Sequence, residues 1–356
     1  MNSNVRSRTA SRRRGRLLLI LCLGLTLLPI ASGFPSATEA QGSRITVSQA
    51  VSLELQPGLT LKALPSPQSL QDFTALTISR LSAAAPFTEW KNAKTEFYPL
   101  GPGTHSWLVN VKNGEQPIGY LIVSATQDGG YLLSEYGAGT SGLPYSMTEL
   151  RQFLVQEELI PSTYSGKTEL TALYAPMLPV WKLTLDKQTY YINALTLEIL
   201  PWSLSKADSV LNGTLPAAGT VTSVEHSWTP QRAFRSGGQD DPYADLQWLA
   251  SPKLKLVNGD NVAVLLGKGG ALAFQSAGKN DTTGAPFMIT GYQSWQLSAQ
   301  GSPNNVKAVI YAASGLQGRR YLPLTALQQT GTLHKLPQSQ NVASGTIVQA
   351  ADFMLK

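Results

Sequence analysis

Residues 107–136 constrain this chain most, because they spell three consecutive strands and the turns between them. Trp107, Leu108, Val109, Asn110 and Val111 read as a strand. Asn113 and Gly114 are the dipeptide that supplies the left-handed residues of a tight hairpin turn. The return strand covers 118–125, and Asp128, Gly129 and Gly130 turn the chain into a third strand over 131–136. On the middle strand Ile118, Tyr120 and Ile122 alternate with Leu121, Val123 and Ala125, so both faces are apolar. Such a strand belongs at the centre of a sheet covered on each side. This is the core of a folded domain, and it carries no reactive constellation.

The flanking sequence supplies the covers. Ser66 and Pro67 read as the N-cap and first turn of a helix with Leu70, Phe73, Leu76 and Leu81 on its apolar face, stopped by Pro86. After the meander, residues 137–144 form a glycine-rich loop. Ser146 and Glu149 then stand at capping-box spacing before a second helix carrying Met147, Leu150, Phe153 and Leu154, and Pro161 ends it. Strands follow at 169–174, 180–185, 189–192 and 197–200. The fold class is therefore α+β, with antiparallel sheets and two helices over 66–200.

A length of 356 residues exceeds what one core usually supports, and 31 glycines with 22 prolines favour short strands over long helices. Serine, glycine, proline, asparagine and threonine dominate 203–243, the composition of a linker. Strand pattern returns over 244–336 as a small mostly-β domain. Its expected strands are 253–257, 262–266 (joined through an Asn258–Gly259 hairpin signal), 271–274, 287–292, 295–297, 306–312 and 321–324. A helical run over 325–330 is closed by Gly331 as a C-terminal cap. The division is thus 41–202, 203–243 and 244–336, with 337–356 as a loosely held tail.

Residues 1–40 have the order of an export leader: arginine-rich to residue 16, apolar over 17–31, then small residues. A signal peptide is the first reading, and an N-terminal membrane anchor over 17–34 is its rival, since spanning lengths overlap this run. Both put the folded part outside the cytoplasm, as a secreted or cell-envelope protein.

The leader also accounts for the net charge of +6. Without its six arginines and Glu39, 22 basic and 21 acidic groups remain, which gives no support for nucleic-acid binding. The one cysteine, Cys22, lies in the leader, so the rest has no thiol nucleophile, thiolate metal site or disulfide.

Chemistry is sparse elsewhere. His105, His226 and His334 lack a neighbouring ligand at zinc-site spacing. Ser203 with Lys206, and Ser276 with Lys279, match S-x-x-K, and Ser302 with Asn304 matches S-x-N, but K-T-G does not follow. Glycines 267, 269 and 270 with Gly278, Lys279 and Asn280 depart from the phosphate-binding loop, which needs serine or threonine after the lysine. Asp240, Asp241 and Asp245 cluster as oxygen ligands that calcium would take, against the alternative of a solvated acidic turn. Trp202, Trp228 and Trp248 flank or occupy the linker and are the candidates for exposed binding aromatics.

Gly119-Tyr120-Leu121-Ile122-Val123-Ser124-Ala125, its glycine turn and the strand over 131–136 resemble the pro-segment or inhibitor-like domain of secreted, papain-fold cysteine peptidases of the streptopain type. Residues 190–200 are similar to the closing strands of small PepSY-type modules, with Asn193 at the family's aspartate and Leu197 at its glycine. The resemblance covers about 66–200. It implies a binding or regulatory role toward a protein partner such as a peptidase, without the peptidase's own catalytic residues. The reading from another class is a cell-wall-associated glycan-binding protein or hydrolase, using the linker aromatics and the acidic cluster.

Overall fold

The computed structural model describes residue 59 and residues 61–101, 105–164, 168–225, 227–255, 257–278, 282–284, 286–297 and 307–336. Residues 1–40, His226, Lys279 with Asn280, Ser302 with Asn304, and the tail over 337–356 lie outside them. Helix α1 (Gln68–Leu81) precedes β1 (Lys94–Leu100), β2 (Ser106–Asn113), β3 (Gln116–Ala125) and β4 (Tyr131–Ala138). Helix α2 (Met147–Gln156) leads into β5 (Thr168–Ala175), β6 (Leu178–Leu185), β7 (Gln188–Asn193) and β8 (Ile199–Leu200), followed by α3 (Leu204–Leu211). The chain continues through β9 (Trp228–Pro230), β10 (Phe234–Arg235), β11 (Lys253–Leu254), α4 (Gly259–Leu266), β12 (Leu272–Ser276) and β13 (Phe287–Leu297). It closes with β14 (Lys307–Ser314), β15 (Arg320–Pro323), α5 (Leu324–Thr330) and β16 (Gly331–Lys335).

The α+β class with antiparallel sheets holds. Among the described residues, twelve strands form one sheet ordered β1-β2-β3-β4-β15-β14-β13-β12-β16-β11, with β9 and β10 both against β13. Strands β5 to β8 form a separate four-stranded sheet. The meander joins the later strands directly, through Arg320 opposite Gly137 and Tyr321 opposite Tyr136.

β3 is buried from Ile118 to Ser124, as its two apolar faces require. Leu121 and Val123 meet α1 and an aromatic cluster, while Tyr120 and Ile122 meet α2 and the four-stranded sheet. Helix α1 buries Leu70, Phe73, Thr74, Thr77, Ile78 and Leu81, a stripe with helical spacing that leaves Leu76 exposed. The aromatic cluster draws from both halves of the chain. Tyr136 stacks on Tyr321 at 4.9 Å, and Trp295 Nε1 donates to its hydroxyl at 3.0 Å. Helices α4 and α5 cover the opposite face of the later strands, where Val262, Leu266, Leu324 and Leu327 are buried.

Several local expectations need correction. The first hairpin turn is Gly114–Glu115: Asn113 ends β2 opposite Gln116, and Gly114 alone of the three is left-handed. Pro67, not Ser66, is the N-cap of α1. Residues 259–266 are a helix, because Val262 and Leu266 face the core one turn apart while Val264 is exposed. Asn258 and Asn261 cap it reciprocally, each side chain accepting from the other's backbone N–H. Gly331 is extended and begins β16; a Cβ there would overlap the Gln275 carbonyl and the Phe274 ring. The linker-like segment contains α3, β9 and β10, and its Trp228 is fully buried in the core.

A bulge in β4 has the largest consequence. Ile122 pairs with Glu135 while Val123 pairs with Leu133, so the odd-even phase slips at Ser134. Leu133 and Tyr136 therefore face the aromatic cluster, and Glu135 points to the other side. There its carboxylate is wholly buried and accepts from Arg320 Nε at 3.2 Å and Nη2 at 2.8 Å. The Tyr120 and Tyr174 hydroxyls donate to it at 2.9 and 3.1 Å. Arg320 Nη2 also donates to the Met177 carbonyl at 2.7 Å. Burial alone would lower the Arg320 pKa, but the Glu135 charge, followed by Tyr120, outweighs it and holds the guanidinium above its ordinary range.

Two stability experiments follow. Val123→Asp should lower the unfolding free energy of the full chain, read from urea titration, by several kcal/mol, because it buries a carboxylate without a partner. Ala125→Asp, at the exposed end of the same strand, should stay within about 0.5 kcal/mol. Glu135→Leu alone should cost about 3–5 kcal/mol by stranding Arg320. The double variant Glu135→Leu/Arg320→Met should recover most of that loss; equal loss in both would show the pair is not coupled.

Candidate functional site

An open groove runs between α1 and the outer edge of β1. It encloses about 840 Å³. Gln68, Gln71, Asp72 and Ser79 line it from the helix, and Ala93, Thr95 and Phe97 from the strand side. Its floor is set by Trp90, whose Nε1 donates to the Ile118 carbonyl at 3.2 Å. A Cβ at Gly119 would overlap that indole, so glycine at this point of β3 is what seats the ring.

β1 pairs with β2 on one side and forms the end of the large sheet. The Leu64 N–H donates to the Phe97 carbonyl at 3.1 Å from outside the sheet. In a strand the N–H and C=O of one residue point the same way, and alternate residues point oppositely. Phe97 and Thr95 therefore direct their main-chain groups outward, while Lys94, Glu96 and Tyr98 bond to β2. The edge is bounded by Lys94 at one end and at the other by Pro99, which has no N–H to offer. Both are devices that limit uncontrolled strand pairing.

On the strand's other face Glu96 holds β1 in place. Tyr98 donates to its Oε2 at 2.7 Å and Lys112 Nζ to its Oε1 at 2.9 Å. The Tyr98 hydrogen bond, aided by Lys112, lowers the Glu96 pKa. Burial and then the Glu96 hydrogen bond push the Tyr98 phenol up to about 12.

The residues singled out in the sequence lie elsewhere and do not converge. Trp202, Trp228 and Trp248 are all buried, which corrects the exposure expected of them. Trp202 packs on Tyr191, Trp228 lies under Lys307, and Trp248 Nε1 donates to the Pro242 carbonyl. The three aspartates serve separate backbone contacts: Asp240 accepts from Gln317 N, Asp241 from Tyr243 N, and Asp245 caps Gln247 N. No group of three acidic, histidine or cysteine side chains placed to hold a metal ion occurs among the described residues.

Ser203 accepts from Lys206 N as the cap of α3, which accounts for that S-x-x-K spacing. Gly269 donates its N–H to the Ser236 carbonyl, and Ser236 Oγ donates to the Gly270 carbonyl, so those glycines pack a turn. His334 is buried, with Nδ1 at the Ser251 carbonyl and Nε2 at the Thr332 hydroxyl. No helix among the described residues is long and apolar enough to cross a membrane. No family model, curated protein or solved structure matches the chain.

The groove was not legible in the sequence. Its one signal was the amphipathic pattern of α1, which says that a helix covers the sheet but not where the cover ends. Its electrostatic anchor is testable. A carboxyl whose folded pKa is lowered stabilises above its unfolded value, and that contribution disappears as pH falls through the folded value. The urea-midpoint difference between the chain and Glu96→Gln should therefore be present at neutral pH and close in acid below the usual carboxylate range. It should be small, because this pair is near the surface.

Proposed function

We propose that the protein is an exported, non-catalytic binding protein that takes an extended segment of a partner protein along the outer edge of β1. The observation that carries this is the outward main chain of Thr95 and Phe97 beside a groove walled by α1. An incoming strand would find main-chain partners on one side and side-chain pockets on the other. The Leu64 N–H already donates to the Phe97 carbonyl, which leaves the Thr95 main-chain groups and the Phe97 N–H for an incoming strand. The leader-like sequence supports an extracytoplasmic setting, and the likeness to streptopain-type pro-segments supports a peptidase as the partner.

The test uses the different directions of neighbouring main-chain groups. A phage-displayed library of unstructured peptides is panned on the immobilised chain, and inhibition of papain-fold peptidases is assayed alongside. Binding peptides should slow hydrogen exchange at the Thr95 and Phe97 amides. Thr95→Pro removes an outward N–H without touching the β2 ladder, so it should abolish capture while the unfolding free energy from urea titration changes by less than about 0.5 kcal/mol. Capture unaffected by Thr95→Pro would overturn the strand-addition reading.

A further inference from the structure

A second concavity sits where the glycine-rich loop over 137–144 meets the later strands, and the groove on β1 has no part in it. It encloses about 240 Å³. Ala138, Leu143, Leu195 and Leu316 give it an apolar wall, and Arg319 and Arg320 also line it. The loop is shaped around Arg319. Ala138 N–H donates to the Arg319 carbonyl at 3.2 Å, and Gly139, at φ 137°, lies where a Cβ would press on the Arg319 side chain at 3.1 Å. The loop seen in the sequence is thus the backbone that lets this arginine lie across the cleft.

Arg320 supplies the polar focus. It is 9% exposed, and its Nε and Nη2 are committed to Glu135 and the Met177 carbonyl. Arg320 itself is one of the residues that line the cleft. Arg319 is anchored through Nη2 to Gln317 Oε1 at 2.6 Å, which leaves the rest of its guanidinium available beside it. The Glu135 charge is already matched by Arg320 at 2.8 Å, so Arg319 supplies the uncompensated positive charge for a ligand. A cleft below the usual size of drug-like pockets, apolar on its walls and cationic at one point, fits a short apolar chain ending in an anion.

We propose that this cleft binds a small organic monocarboxylate, its carboxylate on the guanidinium groups of Arg319 and Arg320 and its apolar body against Leu143, Leu195 and Leu316. The carboxylate belongs to a free acid or to the C-terminus of a short peptide, and the probes separate the two. Calorimetric titration of the full chain uses hexanoate, hexanamide, inorganic phosphate, and a short apolar peptide with a free or an amidated C-terminus. Methyl NMR of Leu143 and Leu195 reports the location.

Hexanoate should bind saturably and shift both leucines, with hexanamide and phosphate silent. A free-terminus peptide that binds more tightly than hexanoate assigns the carboxylate to a peptide end, and the reverse order assigns it to a free acid. Arg320→Gln risks the fold, so the decisive variants are Arg319→Gln, expected to weaken hexanoate about tenfold, and Leu143→Trp, expected to fill the cleft and abolish binding. Equal binding of hexanoate and hexanamide, phosphate binding as well as hexanoate, no saturable hexanoate binding, or binding unchanged in both variants would each overturn the assignment.

Discussion

The contact between Glu135 and Arg320 sets the geometry on which the rest of the molecule depends. β4 and β15 share only two register pairs, too short a seam to fix by backbone hydrogen bonds alone how the two runs of strands meet. The buried guanidinium adds a two-pronged bond to the carboxylate and a third bond to the Met177 carbonyl, between the first two strands of the smaller sheet. Three elements distant in sequence are thereby locked by one set of charge-assisted bonds. A pair of this kind contributes little net stability, because both charges lose their water. Its effect is on specificity: a seam displaced by one residue would bury an arginine and a glutamate without partners.

On the other face the same seam is held by shape. Tyr136 and Tyr321 stack across it, and Trp295 and Tyr311 complete the cluster, Trp295 Nε1 donating to the Tyr136 hydroxyl and Tyr311 to the Leu133 carbonyl. Tyr311 donates to the Leu133 carbonyl and accepts from Val221 N–H, so residues from the linker-like segment are tied into this core. The seam thus has a polar lock on one face of the sheet and an aromatic lock on the other. The two concave features lie at different places relative to it: one at the far edge of the sheet, the other beside the polar lock.

Local sequence determined a good deal. The meander was legible because its strands alternate cleanly and glycine turns separate them, and α2 because Ser146 caps Glu149 N–H as its spacing indicates. Strands β5, β6 and β7 were legible for the same reason as the meander. Residues 259–266 misled because a short apolar run suits a buried strand as well as a helix, and only the asparagine caps and the exposure of Val264 decide between them. The tryptophans mislead because low-complexity surroundings suggest exposure, whereas Trp228 fills the core from such a segment.

What the sequence by itself determined is the fold class, the central place of residues 118–124 and the absence of a thiol from everything after the leader. Each follows from periodicity or composition, which act within a few residues. Tertiary structure alone decided that strands from both halves share one sheet, that Glu135 turns away from Leu133, and that Thr95 and Phe97 turn their main-chain groups away from β2. The reason is physical. A bulge at Ser134 reverses the facing of every later residue in β4 without leaving a mark in the hydrophobic pattern. Which strands lie side by side, and which edge stays open, is settled by long-range pairing between Tyr136 and Tyr321 and between Glu135 and Arg320, 185 residues apart.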